Sequence, residues 1–306
     1  MSASVIICTH NPRIDYFERC LAGLKAQILA PQVWELIVVD NASQPDKAPH
    51  PDLSWHPRGR IVFEKQLGLT PARLRGISEA REELLVFVDD DNVLDPDFLS
   101  AAIGIAKEKP FLGAWSGQCR PDFETAPPEW TRRYWGNLVV REFQTEVWSN
   151  LPRLAASMPS GAGMCVRRKV AQRYVDLHRL GRRTWQLDRT GRSLVSGGDN
   201  DLAACACDIG LGMGLMPTLR LTHLIPSERL TLNYLVRLAE GIYFSSTLLD
   251  AECGLTVTPR SVLGRVVDAL RVLRRPGRHG RILRAAYRGR NRAAQLLCSK
   301  REVRAS

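Results

Sequence analysis

Asp89, Asp90 and Asp91 follow one another without a break in the stretch LLVFVDDDNVLDPDF, residues 84–98. Three adjacent carboxylates repel one another and are stable only beside a cation or hydrogen-bond donors. Oxygen-only ligands favour a hard divalent cation, magnesium or manganese, and such ions usually share their shell with substrate phosphates. The triplet therefore points to a metal–diphosphate site. The apolar residues Leu84 to Val88 that run into it, with Val86 and Val88 β-branched, suit a buried strand carrying the carboxylates at its end.

The preceding sequence supplies the elements that would position such a site. Ser4 to Thr9 reads as a first buried strand, followed by the loop His10-Asn11-Pro12-Arg13. Ile14, Phe17, Leu21 and Leu24 then fall at helical spacing. Trp34 to Val39 is a second strand ending in Asp40-Asn41-Ala42-Ser43, Ile61 to Glu64 a third, Pro71 to Ala80 a helix, and Leu84 to Val88 the fourth strand. Strand–helix alternation predicts an α/β fold with a mostly parallel central sheet flanked by helices. In such sheets ligands sit at the carboxyl ends of the strands, where Thr9, Asp40 and Asp89 all fall.

Residues 110–160 change character. Pro121, Pro127, Pro128, Pro152 and Pro159 break the pattern, Trp115, Trp130, Trp135 and Trp148 lie here, and the segment reads as an irregular, aromatic-rich insertion, either a satellite core or an acceptor-binding surface. Ser160-Gly161-Ala162-Gly163 leads into a strand at Met164 to Val166. In SGGDNDLAACACD, residues 196–208, Asp199 or Asn200 caps a helix that runs to Gly210. Arg220 to His223 reads as a short strand, and Leu230, Tyr234, Leu235, Leu238 and Ile242 mark a long helix.

The 306 residues are 44% hydrophobic and 25% charged, enough for an ordinary core. The eight cysteines form no CxxC pair and no disulfide framework, which suits a reducing cytosol. No signal-like start and no run of 18 apolar residues is present. The net charge of +11 is concentrated at one end: residues 260–306 carry 14 Lys+Arg against 2 Asp+Glu, so the other 259 residues net −1. That balance excludes a broad basic face for nucleic acid on the main domain. The tail reads as helical with a break at Pro276-Gly277. It carries an apolar stripe (Val262, Leu263, Val266, Val267, Leu270, Leu273) and a basic stripe (Arg281, Arg284, Arg288, Arg292).

VIICTHNPR, ELIVVDNAS, GLTPARLRGISEA, LLVFVDDDN, SGAGMCVRR, GGDNDLA and LTHLIPSERL occur in that order over roughly residues 4–230. In this order the chain resembles family 2 glycosyltransferases, inverting enzymes of the GT-A fold that use nucleotide-diphospho-sugars. The resemblance implies that Thr9, Asn11 and Asp40 hold the base and ribose, with Arg73 supporting that pocket. It implies that Asp89 and Asp90 bind the nucleotide sugar, that Asp91 is the direct metal ligand with His223 beside it, and that Arg229 reaches the phosphates. It places the general base at Asp199, with Asp201 as the alternative just after it; motif register favours Asp199. Two positions depart from the family pattern: Leu74 stands where Asn is common, and Gly198 where Glu is usual. Read as residues alone, Asp40 could equally cap its turn, and His223 could be a satisfied core histidine.

The expectation is therefore a GT-A domain over residues 1–255, with a nucleotide-binding half at about 1–109 and an acceptor-binding half at about 110–255. A basic helical appendage follows over 256–306. The resemblance implies transfer from a UDP-linked donor, manganese or magnesium being the cofactor, to a hydroxyl of a glycan or lipid-linked acceptor. Three readings compete for the tail: an anionic cytoplasmic leaflet, non-specific nucleic acid, and a solvated arm. The apolar stripe favours membrane or protein docking, a peripheral place on the cytoplasmic face of the membrane leading, with no specific nucleic acid as partner. A silent nucleotide-sugar binder or scaffold is one competitor. A nucleotidyltransferase is the other, although THNPR lacks the Gly-rich, basic phosphate loop that this chemistry usually needs.

Overall fold

The computed structural model describes residues 1–183, 185, 187–189, 194–275 and 277–305, the last five by backbone alone. Pro276, half of the expected Pro276-Gly277 break, lies outside the described residues. Two compact units are present. The first comprises Met1–Glu124, Leu138–Arg183 and Asp199–Ile225; the second comprises Thr125–Asn137, Thr184–Gly198 and Pro226–Ser306.

The first unit is a nine-stranded sheet whose main path runs β3-β2-β1-β4-β8-β6-β9-β5. Strands β1 (Ala3–Thr9), β2 (Trp34–Asn41), β3 (Gly59–Glu64) and β4 (Leu84–Asp89) are mutually parallel, as the alternation predicts. The near-continuous apolar runs of β1, β2 and β4 reflect burial on both faces, whereas the edge strand β3 leaves Ile61 and Phe63 exposed. Ile7, Val38, Val86 and Val88 face Phe17 and Leu24 of α1 (Ile14–Lys25) and Phe98 and Ala102 of α3 (Phe98–Glu108). Ile6, Ile37, Val39 and Phe87 face Ala72 and Ile77 of α2 (Leu69–Glu79), Tyr174 of α4 (Arg168–Arg179) and Leu202 of α5 (Gly198–Asp208).

Of the remaining strands, the expected Met164–Val166 is found and the expected Arg220–His223 is the end of a longer strand, while three others were not expected. β5 is Asn92–Leu94, β6 Leu112–Phe123, β7 Val147–Ser149, β8 Met164–Arg167 and β9 Gly212–Ile225. The span read as irregular thus contains a 12-residue strand. Its pattern is masked in the sequence because Gly113, Gly117 and Pro121 interrupt it and its pairing shifts register twice. Trp115 is fully buried in this strand, so it belongs to the core and not to an acceptor surface. β8 runs antiparallel between β4 and β6.

Register sets the site. Thr9 pairs with Asp40, and Cys8 with both Val39 and Asp89, so three strand ends lie side by side. α2 lies close over β1: a Cβ on Gly76 would stand 2.5 Å from Ile6 Cγ2. One turn earlier on the same helix, Arg73 is thereby held at the strand ends.

His56, between β2 and β3, packs edge-on against Trp34 with centroids 4.1 Å apart and against Trp55 at 5.2 Å. Burial, with help from Arg58, lowers its pKa from 6.5 to about 4. A depressed histidine pKa stabilises the fold above pH 6.5 and loses that contribution as pH falls from 6.5 towards 4. Acid unfolding is expected to show a slope on the order of 1 kcal/mol per pH unit in this window. The slope should flatten in His56→Phe, read by denaturant titration at several pH values.

In the second unit, α6 (Leu232–Glu252) packs on α8 (Arg278–Ala305), and α7 (Val262–Leu273) also packs on α8. The expected boundary at 255 therefore does not coincide with the division of the chain, because α6 belongs with the C-terminal helices. Trp130 sits in this unit too, with the Arg278 guanidinium 5.3 Å over its ring. The eight cysteines are all free thiols.

Candidate functional site

The carboxyl ends of β1, β2 and β4 carry a prepared crevice. Asn11 and Ala42 hold positive φ angles of 50° and 52°, in the two loops that leave β1 and β2. The loops are tied together: Asn11 N–H donates to Ser43 Oγ at 2.9 Å, and Gln44 N–H donates to Asn11 Oδ1 at 2.9 Å. His10 Nδ1 lies 2.8 Å from the Asn41 carbonyl oxygen. Non-glycine residues in this conformation persist only where surrounding structure holds them, a pattern concentrated at functional sites. Asp40 accepts the Ser43 N–H at 3.1 Å, so its turn-capping role is real and uses Oδ1. Asn11 likewise spends its side-chain oxygen on the loop. Of the residues expected to hold the nucleotide, Thr9, Asn11, Asp40 and Arg73 all lie along this rim.

The triplet divides its contacts. The Thr9 hydroxyl donates to Asp90. Asp89 lies within electrostatic reach of Asp91, Arg73, His223 and Asp199, and burial followed by Asp91 raises its pKa, against Arg73 and His223. Asp91 is brought to His223 by β-pairing: Asn92 is opposite His223 in the β5–β9 ladder, and Leu224 N–H donates to the Asp91 carbonyl at 2.8 Å. His223 Nε2 stands 3.4 Å from Asp91 Oδ2, and its Nδ1 lies 3.0 Å from the Leu138 carbonyl.

That pair allows a test of the metal expectation. A carbonyl only accepts, so Nδ1 carries a hydrogen. In the neutral ring Nε2 is then a lone pair facing a carboxylate oxygen. Two acceptors in that position require a cation between or beside them. A proton satisfies the need in the apo protein: burial lowers the His223 pKa, but Asp91 and Cys119 outweigh it and raise it to about 10. A divalent ion fits the same imidazole–carboxylate pair. Among the described residues no group of three or more His, Cys, Asp or Glu side chains forms a closed cage. Val139, next to Leu138, has φ +66°, an outlier for a β-branched residue at the point where its neighbour's carbonyl fixes the imidazole.

Asp199 stands in the first turn of α5, half-buried. Its Oδ2 accepts Gly161 N–H at 2.8 Å and its Oδ1 accepts Asn200 N–H at 2.9 Å. Asn200 Nδ2 donates to the Pro159 carbonyl at 3.1 Å, joining the start of α5 to the 159–161 segment. Asp201 points elsewhere: it is buried and its Oδ1 lies 2.8 Å from Arg183 Nε. Gly198, where the family pattern has Glu, is a position at which a Cβ would collide with the Asp188 carboxylate. Removing one partner of a buried ion pair costs about 3–5 kcal/mol. Arg183→Ala is therefore expected to lower the thermal midpoint strongly, with Arg183→Met/Asp201→Leu recovering part of the loss in calorimetry.

Two side chains that the sequence reading overlooked also belong here. Arg141 reaches the Met158 carbonyl with Nη1 at 3.1 Å and pairs through its backbone with Cys119 of β6. Burial lowers its pKa, while Cys119 and Asp199 act in the opposite direction. Cys119 itself touches the His223 system. Neither residue sits in a motif, since their place depends on the β6 pairing. Arg229 lies in the second unit, on the turn Ser227–Leu230 before α6.

Residues 4–175 match the profile of "Glycosyl transferase family 2". An uncharacterized glycosyltransferase, YwdF of Bacillus subtilis (strain 168), is 34% identical over 99 residues, 31% of this chain and 35% of its own length. The chain spans 31–42% of the length of the curated relatives it matches. Among solved structures, mannosyltransferase PcManGT from Pyrobaculum calidifontis, in complex with GDP-Man and Mn2+, is similar. The TM-score is 0.55 at 20% identity, over 97% of this chain and 74% of that one. S. aureus TarS 1–349 in complex with UDP-GlcNAc gives 0.52 at 14% identity, over 98% and 92%. The structural likenesses show the fold. With its profile match covering more than half of its length, the chain belongs to glycosyl transferase family 2 and has the GT-A fold.

Proposed function

We propose that the protein is an inverting, divalent-metal-dependent glycosyltransferase. It moves a sugar from a nucleotide-diphospho-sugar, with UDP as the carrier, to a hydroxyl of a glycan or lipid-linked acceptor in cell-surface polysaccharide synthesis. The observation that carries the reading is the placement of one fixed carboxylate, Asp199, in the same crevice as the Asp91–His223 pair and the Thr9–Asp40 rim. The acceptor hydroxyl gives its proton to Asp199 as its oxygen attacks the anomeric carbon. The bond from that carbon to the diphosphate breaks on the opposite face, so one displacement inverts the centre. Asp201, occupied by Arg183, is not the base.

Thr9, Asn11 and Asp40 line the base and ribose pocket, and the free edge of Asp40 suits a uracil N–H. Arg73 and Arg141 hold positive charge near Asp89 and Asp199. Asp91 and His223 would hold the manganese or magnesium ion, which supplies charge neutralisation for the departing diphosphate. The neighbours carrying UDP-GlcNAc and GDP-Man with Mn2+ support this donor class. Free thiols accord with a reducing compartment, and no helix among the described residues is long and apolar enough to cross a membrane. We place the enzyme on the cytoplasmic surface of a membrane, held by its C-terminal region.

The deciding experiment is a thermal-shift panel of UDP-, dTDP- and GDP-sugars with and without manganese. A nucleotide sugar at about 100 times its Kd should stabilise the protein by about 2.7 kcal/mol, and only with metal. A protein that no nucleotide sugar stabilises in manganese or magnesium would overturn the proposal.

A further inference from the structure

α7 is mounted with its faces reversed. An amphipathic helix ordinarily turns its apolar stripe inwards. Here the residues buried against α8 are Asp268 and Val272, while Val262, Leu263 and Leu273 are 70%, 73% and 72% exposed and Val266 and Leu270 are exposed as well. Asp268 is the inward anchor: Arg260 Nε lies 3.5 Å from its Oδ2, Arg271 Nη1 lies 3.8 Å from its Oδ1, and Arg290 donates to it. The basic stripe read on α8 is partly consumed, because Arg288 and Arg292 both pair with Glu240 of α6. The exposed arginines not drawn into these pairs are Arg265, Arg274, Arg275, Arg278, Arg281 and Arg284, beside or just beyond the apolar face. Between residues 260 and 300 the sequence has a single acidic residue, the buried Asp268.

We propose that the outward face of α7 lies in the interface of an anionic phospholipid bilayer. Val262, Leu263, Val266, Leu270 and Leu273 enter the acyl boundary, and the exposed arginines meet lipid phosphates. This deepens the membrane reading given above and rests on it. Charge selects the occupant. A second copy docked face to face would bring two arginine-rich surfaces together with no exposed acid to offset them. A bilayer surface offers an apolar layer bordered by phosphates, which matches an apolar stripe bordered by guanidinium groups. The groove of about 690 Å³ between α7 and α8 continues the pattern, with Ala269, Val272 and Leu273 on one side and Arg284 on the other.

The test is co-flotation of the full chain with vesicles of phosphatidylcholine alone or with phosphatidylglycerol added. The wild type is expected to bind the anionic vesicles at least tenfold more tightly. Leu263→Glu/Leu270→Glu and Arg274→Glu/Arg275→Glu should each lose at least tenfold of that binding. Both pairs replace exposed side chains, and an unchanged thermal midpoint and an unchanged nucleotide-sugar shift confirm that each variant is folded. Wild type that ignores anionic vesicles, or a Leu263→Glu/Leu270→Glu variant that binds them normally, overturns the proposal. So does a dimer in solution that this variant splits, since the face would then be a contact between copies. Vesicle binding without any nucleotide-sugar shift would instead count against the donor reading and leave this one standing.

Discussion

Asp199→Asn is expected to reduce sugar transfer by about 10²–10⁴-fold while leaving donor binding close to that of the wild type. The substitution is nearly isosteric. Its remaining oxygen can still accept one of the two N–H groups that now hold the carboxylate, from Gly161 or Asn200. What disappears is the acceptor for the proton of the attacking hydroxyl. The donor-side groups, Thr9, Asp40 and the Asp91–His223 pair, are on other strands and keep their contacts. The counterpart is Asp201→Asn, which weakens a buried pair with Arg183 and should act through the thermal midpoint. Steady-state transfer with isothermal titration of the donor separates the two effects. Normal transfer by Asp199→Asn, with transfer lost in a fully stable Asp201→Asn, would reverse the assignment.

The sequence made the first four strands legible because their signal is local. Leu84 to Val88 is apolar at every position, and the two faces of β4 indeed meet different cores, Val86 and Val88 on one side and Leu85 and Phe87 on the other. The strand-end carboxylates followed from the same run. β6 was not legible, because Gly117 and Pro121 suit a strand only through its particular partners, β8 and β9. Arg141 and Cys119 were lost with it. Asp40 shows the opposite lesson: turn cap and site residue are alternatives in the sequence, yet one oxygen caps Ser43 and the other remains for the rim. Motif order alone left Asp199 and Asp201 as alternatives. Only the tertiary position of Arg183, eighteen residues earlier, distinguishes their surroundings.

Asp91→Asn is expected to abolish metal-dependent stabilisation by the nucleotide sugar, whereas Asp90→Asn, which trims a contact to Thr9, should retain much of it. The argument lies in the proton that Asp91 holds on His223. With Nδ1–H committed to the Leu138 carbonyl, any cation must bind Nε2, where the apo protein carries a proton up to about pH 10. Metal binding therefore has to expel that proton, and a ligand that must deprotonate makes affinity pH-dependent. The sign follows: below pH 10 the apparent manganese affinity should rise with pH, by about tenfold per unit for one proton. Manganese titrations between pH 6.5 and 8.5 should show that slope in the wild type. His223→Gln, which has no such proton to lose, should bind more weakly with no slope. In Asp91→Asn the charge that most raises the histidine pKa is gone and Cys119 alone is left against burial, so the imidazole should lose its proton at a lower pH than in the wild type, read by NMR. Equal metal losses at Asp90 and Asp91, or a flat pH dependence in the wild type, would show that Asp91 and His223 do not share the ion.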